Sequence, residues 1–304
     1  MKSRINKLLK PLGYELDQLD ERPYWPRARA KRIDRPFLFL LTPAGSGSAD
    51  IAWYMSRRSD IGGLHHSFEG QRLVKGLMDS DRWWPEKFVD YEAVLGAWSR
   101  RIAEADPEGR YAWWLEKSPA NMVRHRQLLE YFPNHRVVVN NRGPVANVAA
   151  QVRRYLFKEY HGAHRPLVVR HLARIWLWRS RLLMQAVRDH GYPCLSYEAF
   201  CRRPAAIAEA FGLEPLPLVG GDDMPPGAIS SSGARTGPDT ARQLTEHERE
   251  MVVDELSGAS EVLQFFGYDL ATELAAEDGG EIGEPHLRAV AADGSRSGDA
   301  GAPS

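Results

Sequence analysis

The sequence predicts an α/β protein with three α/β/α layers, in which a central parallel sheet is covered by helices on both faces. Three observations lead there. Apolar runs of strand length alternate with longer stretches of helical periodicity, the order that builds parallel sheets through helical crossovers. The first run, "FLFLL" at 37–41, is apolar at every position, which suits a strand buried on both faces. With 304 residues, 43% of them hydrophobic, the chain can bury one sizeable core.

The elements follow in order. "FLFLLT" (37–42) is the first strand, bounded by Pro36 and Pro43. "SADIAWYMSRR" (48–58) has helical character, and "FEGQRLVKGLM" (68–78) and "DYEAVLGAWSRRIAEA" (90–105) read as two further helices. "RYAWWLEK" (110–117) is a strand, and "SPANMVRHRQLLEYF" (118–132) is amphipathic at helical spacing. "HRVVVNN" (135–141) is the next strand, and "GPVANVAAQVRRYLF" (143–157) a helix opened by proline. A long tryptophan-bearing helix over 168–190 precedes "YPCLSYE" (192–198) as strand. Three segments result: an amphipathic stretch and connector over 1–35, the main domain over 36–272, and a tail over 273–304, rich in glycine, alanine and charge, that is expected to be disordered.

Composition narrows the function. Forty basic and forty acidic residues cancel, so no net field draws the molecule to nucleic acid or an anionic membrane, and any anion site must be local. Helix-turn-helix, zinc-finger and aromatic-plus-basic signatures are absent. Cys194 and Cys201 lack a metal-ligand spacing and are too few for a disulfide framework, which points to a reducing compartment. No apolar run approaches a membrane span, so the protein reads as cytoplasmic. Ile5, Leu8, Leu9 and Leu12 alternate with Lys2, Arg4, Lys7 and Lys10, a basic amphipathic segment that either docks on its own domain or rests on a membrane surface.

The chemistry starts at "TPAGSGSAD" (42–50). A buried strand, a loop of small residues and a helix start gather backbone N–H groups and the positive helix end at one point, an anion cradle. The plainer alternative is a strand-to-helix turn capped by Ser46 or Ser48. A triphosphate-binding P-loop would carry lysine followed by serine or threonine after the second glycine, where Ser48 and Ala49 stand, so ATP with magnesium is disfavoured.

From this strand onward the chain resembles the sulfotransferases that use 3′-phosphoadenosine 5′-phosphosulfate. "PAGSGSADIAWYMSRRSDI" is similar to their 5′-phosphosulfate loop and following helix, and "HHSFEGQRLVKGLMDSDRWWPE" to the "GEGQWL" and "DRW" segment of bacterial members. "LEKSPAN…FPNHRVVVNNRGPVANVAAQVRRY", "LSYEAFCRRP" and "LQFFGYDL" resemble the later blocks, so the likeness runs in order over 36–271. It implies a P-loop NTPase-like sulfotransferase fold, that nucleotide as co-substrate, a hydroxyl acceptor and no metal.

The resemblance also implies roles. Ala44, Gly45, Ser46, Gly47, Ser48 and Ala49 would cradle the 5′-phosphate, and Lys117 of "EKSP" would reach the bridging oxygen or the sulfuryl group. Glu69 would be the base, with His66 and its neighbour His65 as runners-up; Glu69 as an ordinary first-turn acid is the alternative. Arg142 would read the 3′-phosphate, Tyr197 would lie on the adenine side or serve structure alone, and the late "ISSSGARTG" loop with Arg235 could close over the donor. The chain departs from the family where the loop cation is replaced by Gly45, and the serine eight residues after Arg142 by Ala150. Gly143 is a further departure. Arg153 and Arg154 could compensate for Ala150, and Lys117 or the Arg57–Arg58 pair for the loop, where Asp50 adds unwelcome negative charge. The first reading is therefore a sulfotransferase acting on a hydroxyl, of a carbohydrate or glycolipid. The second is a catalytically impaired relative that binds nucleotide or glycan.

Overall fold

Every residue of Phe37–Leu41 is buried, and together they form β1, the middle strand of a five-stranded parallel sheet. A computed structural model of the chain describes residues 33–156, 164–214 and 243–275. The basic N-terminal segment, the Arg235 loop and residues 276–304 lie outside those ranges.

β2 (Ile61–Gly63), β3 (Trp113–Glu116), β4 (His135–Asn141) and β5 (Cys194–Ser196) complete the sheet in the order β2-β3-β1-β4-β5. Phe39 lies opposite Glu116 on one side and Val137 on the other. Side chains alternate along a strand, so β1 feeds two cores. Phe37, Phe39 and Leu41 join one layer with α2 (Tyr91–Ala105), α3 (Asn121–Glu130), α4 (Pro144–Leu156), α5 (Arg165–His190) and the later α8 (Glu246–Leu256) and α9 (Ser260–Phe266). Leu38 and Leu40 join the other, with α1 (Ser48–Ser56), α6 (Tyr197–Arg202) and α7 (Ala206–Ala210). The three-layer α/β/α expectation holds. A short α10 (Leu270–Ala275) ends the described chain.

Several expected elements differ. Residues 68–78 are not an α-helix: a 3₁₀ turn covers Gly70–Leu73, and the chain then turns through Gly76 at φ +85°. The apolar spacing of Leu73, Val74 and Leu77 imitates a helix, but Glu116 accepts the Gly70 N–H at 2.6 Å and draws the segment to the end of β3. β2 was not foreseen, being only three residues, two of them glycine, held by pairing with β3. "YPCLSYE" is strand only to Ser196, whose side chain caps α6 by accepting the Ala199 N–H at 3.1 Å.

Candidate active site

All five strands are parallel, so the segments after their C-terminal ends meet along one edge, where open α/β sheets bind ligands. Chain direction on either side of β1 makes this the switch point of the sheet.

After β1 comes the glycine-rich loop. Gly45 and Gly47 sit at φ +83° and +74°, left-handed backbone that glycine adopts without a Cβ penalty. Gly47 is the N-cap of α1, and its carbonyl accepts the N–H groups of Asp50 and Ile51. Among the described residues, the amides of Gly45, Gly47, Ser48 and Ala49 have no hydrogen-bond partner. Unspent donors at the positive end of a helix are what an anion requires, so these residues fit a phosphate.

After β4 comes Arg142, with its main chain braced on both sides. Its N–H donates to Asn141 Oδ1 at 2.9 Å and its carbonyl accepts the Trp176 indole N–H at 2.9 Å. Its guanidinium donates to the Gly45 carbonyl at 3.3 Å and lies 4.8 Å from the centre of the Tyr197 ring. Tyr197, the first residue after β5, donates its hydroxyl to Asp50 at 2.5 Å. Burial, reinforced by the Asp50 charge, holds that phenol far above its ordinary range. Asp50 is thereby the anchor of the tyrosine that shapes the cradle.

A second group forms at β3. Lys117, 4% exposed, places Nζ 3.2 Å from Glu69 Oε1, and Arg72 Nε donates to Glu69 Oε2 at 2.6 Å. Burial alone would raise the Glu69 carboxyl, but Lys117 and Arg72 hold it below its ordinary value, so it is ionised at neutral pH. Phe68, at φ +58°, is the one non-glycine residue in left-handed backbone among those described, and its carbonyl accepts the Lys117 N–H at 2.9 Å. That strained turn sets Glu69 against Lys117.

Beneath the pair lies a buried network. The Glu116 carboxylate takes N–H groups from Gly70, Ser118 and Asn121, although burial pushes its pKa up to about 7. Gln71 donates to Asn121 Oδ1 at 2.5 Å, and Trp98 donates to the Gly70 carbonyl at 3.0 Å. The "FEGQ" and "EKSPAN" segments are thus one unit. Asn121→Ala strips partners from Glu116 and Gln71 together and should cost about 1–3 kcal/mol in urea unfolding.

Not every expected residue joins these groups. His66 is exposed, with its ring 3.9 Å from that of His65, while His65 Nδ1 is engaged with Ser67. Arg58 pairs with Asp60 at the far end of α1, and Arg57 lies over Trp53, so that pair does not supply the loop's cation. Ala150 sits within α4, and the Arg154 side chain lies outside the described residues. Residues the sequence did not single out hold the loop from α4: Asn147 Nδ2 donates to Ala44 O at 3.1 Å and Ser46 Oγ at 2.9 Å. Their signal was only the amide spacing Asn147–Gln151, i and i+4 on one helix face.

Residues 64–211 match the model of the Sulfotransferase family. That span, just under half of the chain, is what is similar to the sulfotransferase family. The match takes in Glu69, Lys117, Arg142 and Tyr197 and begins after the glycine-rich loop. A sulfotransferase from Alicyclobacillus acidocaldarius shares the fold, with TM-score 0.52 and 15% identity over 79% of this chain and 99% of that one. A sulfotransferase from Mycobacterium avium aligns at 11% identity and TM-score 0.48 over 88% of this chain and 81% of its own. No curated protein matches the chain. Among the described residues no His, Cys, Asp and Glu side chains cluster as metal ligands, and no helix is long and apolar enough to cross a membrane.

Proposed function

We propose that this protein is a sulfotransferase, transferring a sulfuryl group from 3′-phosphoadenosine 5′-phosphosulfate to a hydroxyl. The observation that carries this is the meeting, at one sheet edge, of a cradle of unspent amides with Arg142 laid on Tyr197. The amides of Gly45, Gly47, Ser48 and Ala49 would hold the 5′-phosphate, and Arg142 the 3′-phosphate. Sulfuryl transfer asks the protein for in-line positioning and for charge at the leaving phosphate, with no covalent step of its own. As the acceptor oxygen bonds to sulfur, the bridging S–O bond breaks and the phosphate keeps its electron pair. Lys117 offsets that developing charge. The acceptor proton passes to Glu69, which Lys117 and Arg72 keep ionised and therefore able to receive it. Carbohydrate or glycolipid hydroxyls are the acceptor class we assign, since the half-buried Trp84 offers an aromatic surface of the kind that stacks on sugar rings.

The test is calorimetric titration with 3′-phosphoadenosine 5′-phosphate. Wild type is expected to bind in the micromolar range, and Arg142→Ala to bind at least about thirtyfold more weakly, the cost of losing a buried charged partner. No binding by folded wild type would refute the donor assignment. A second reading, that the protein binds nucleotide without turnover, draws on the absence of lysine and arginine between Phe37 and Ser56. Binding with no sulfate transfer across a glycan panel would favour it.

A further inference from the structure

Glu69 and Lys117 are each followed by a backbone N–H that ends on the same buried carboxylate. Glu116, 0% exposed at the end of β3, accepts the Gly70 N–H through Oε2 at 2.6 Å and the Ser118 N–H through Oε1 at 2.8 Å. One residue earlier on each segment, the Lys117 N–H donates to the Phe68 carbonyl at 2.9 Å. The Glu69–Lys117 ion pair is therefore bracketed by main-chain bonds on both sides. The approach at Gly70 is close: a Cβ there would lie 2.8 Å from Glu116 Oε2 and 2.7 Å from Leu64 Cδ1.

These two donors dictate what can stand at 116. A side-chain amide can be turned over to suit a neighbour, but a backbone N–H only donates. The group between Gly70 and Ser118 must accept at both ends, which a carboxylate does and an amide of the same shape cannot. In either orientation, glutamine would set its NH₂ against one of the two N–H groups. The turn before Glu69 adds to this demand. Phe68 lies at φ +58°, and a residue with a side chain stays in left-handed backbone only where its surroundings over-determine it. Released at Gly70 or at Ser118, one member of the ion pair can move off the other.

We infer that Glu116 is a positioning residue whose carboxylate, by taking the amides that follow Glu69 and Lys117, sets the geometry of that pair. Its bearing on sulfuryl transfer rests on the proposed function; the geometry does not.

The experiment compares Glu116→Gln with wild type at pH 8, above the value of about 7 to which burial pushes the Glu116 carboxyl, so that the wild-type group is ionised. In crystals, the separation of Glu69 Oε1 and Lys117 Nζ is 3.2 Å in the wild-type structure. It should open in the variant beyond the reach of an ion pair, about 4 Å. In the transfer assay kcat should fall about tenfold to a hundredfold, the cost of misplacing a reacting group. Affinity for 3′-phosphoadenosine 5′-phosphate should stay within about threefold, because the glycine-rich loop and Arg142 are untouched. Asn121→Ala is the control. It also takes a partner from Glu116 Oε1 but leaves both backbone bonds in place, so it should lower stability to urea without opening the pair or lowering kcat. An unopened pair in Glu116→Gln, or the same kcat loss in Asn121→Ala, would overturn the inference. If Glu116→Gln does not fold, amide exchange in wild type decides. The Gly70 and Ser118 N–H groups should exchange as slowly as the core of β3, and exchange at the rate of an exposed loop would overturn the inference. A pair that opens while kcat is unchanged would instead leave the positioning standing and remove the pair from the chemistry.

Discussion

Lys117→Met is expected to lower kcat for sulfuryl transfer by about a hundredfold to a thousandfold, the effect of removing one preorganised donor to charge that develops in the transition state. Nucleotide affinity should change far less, because the methionine leaves the glycine-rich loop and Arg142 untouched. The pH profile should move as well. Lys117 favours the ionised form of Glu69, so its removal lets burial raise that pKa, and the acid-side fall in kcat/KM should shift to higher pH. Steady-state rates with radiolabelled donor over a pH series give both numbers. A kcat within threefold of wild type would remove Lys117 from the chemistry, and Glu69→Gln with an unchanged rate would remove the base.

Gly47→Ala should be the most damaging single methyl group in the donor region. The added Cβ would fall 2.0 Å from Tyr197 Cε2 and 2.1 Å from Cδ2. The ring has little freedom to yield, since its hydroxyl is bonded to Asp50, Arg142 lies on one face and Phe200 stacks at 6.1 Å. Overpacking and the left-handed backbone together predict about 2–5 kcal/mol of lost stability and no measurable nucleotide binding. Gly191→Ala is the control. Gly191 also has positive φ, +66°, but nothing lies within 4 Å of where a Cβ would stand, so only the left-handed backbone cost of about 1–2 kcal/mol should be seen. Equal losses at the two glycines would mean that Tyr197 does not wall the cradle.

The parts of this structure that the sequence disclosed are those written locally. β1 could be read because five consecutive apolar residues between prolines admit few alternatives, and α2 because Asp90 caps a clean amphipathic repeat. The loop, Lys117 and Arg142 could be placed because each follows directly on a recognisable strand. The turn at 70–73 was misread because its conformation is dictated by Glu116, far along the chain, which no periodicity reports. Asn147, Gln151 and Arg179 were invisible for the same reason. Their meaning lies in contacts across 28 to 103 residues, and a glutamine or arginine on a helix carries no local sign of such a partner.

The helix α5 runs for 26 residues, about 39 Å, and within five consecutive positions it touches the loop edge of the sheet three times. Trp176 holds the Arg142 carbonyl, Arg179 the Gln151 amide, and Ser180 Oγ accepts from Asn141 Nδ2 at 2.9 Å. One rigid rod is thus the common abutment of parts that lie far apart in sequence. A slip of the rod by a single turn would unseat all three contacts together, so this edge of the sheet is expected to be lost as one unit rather than piece by piece.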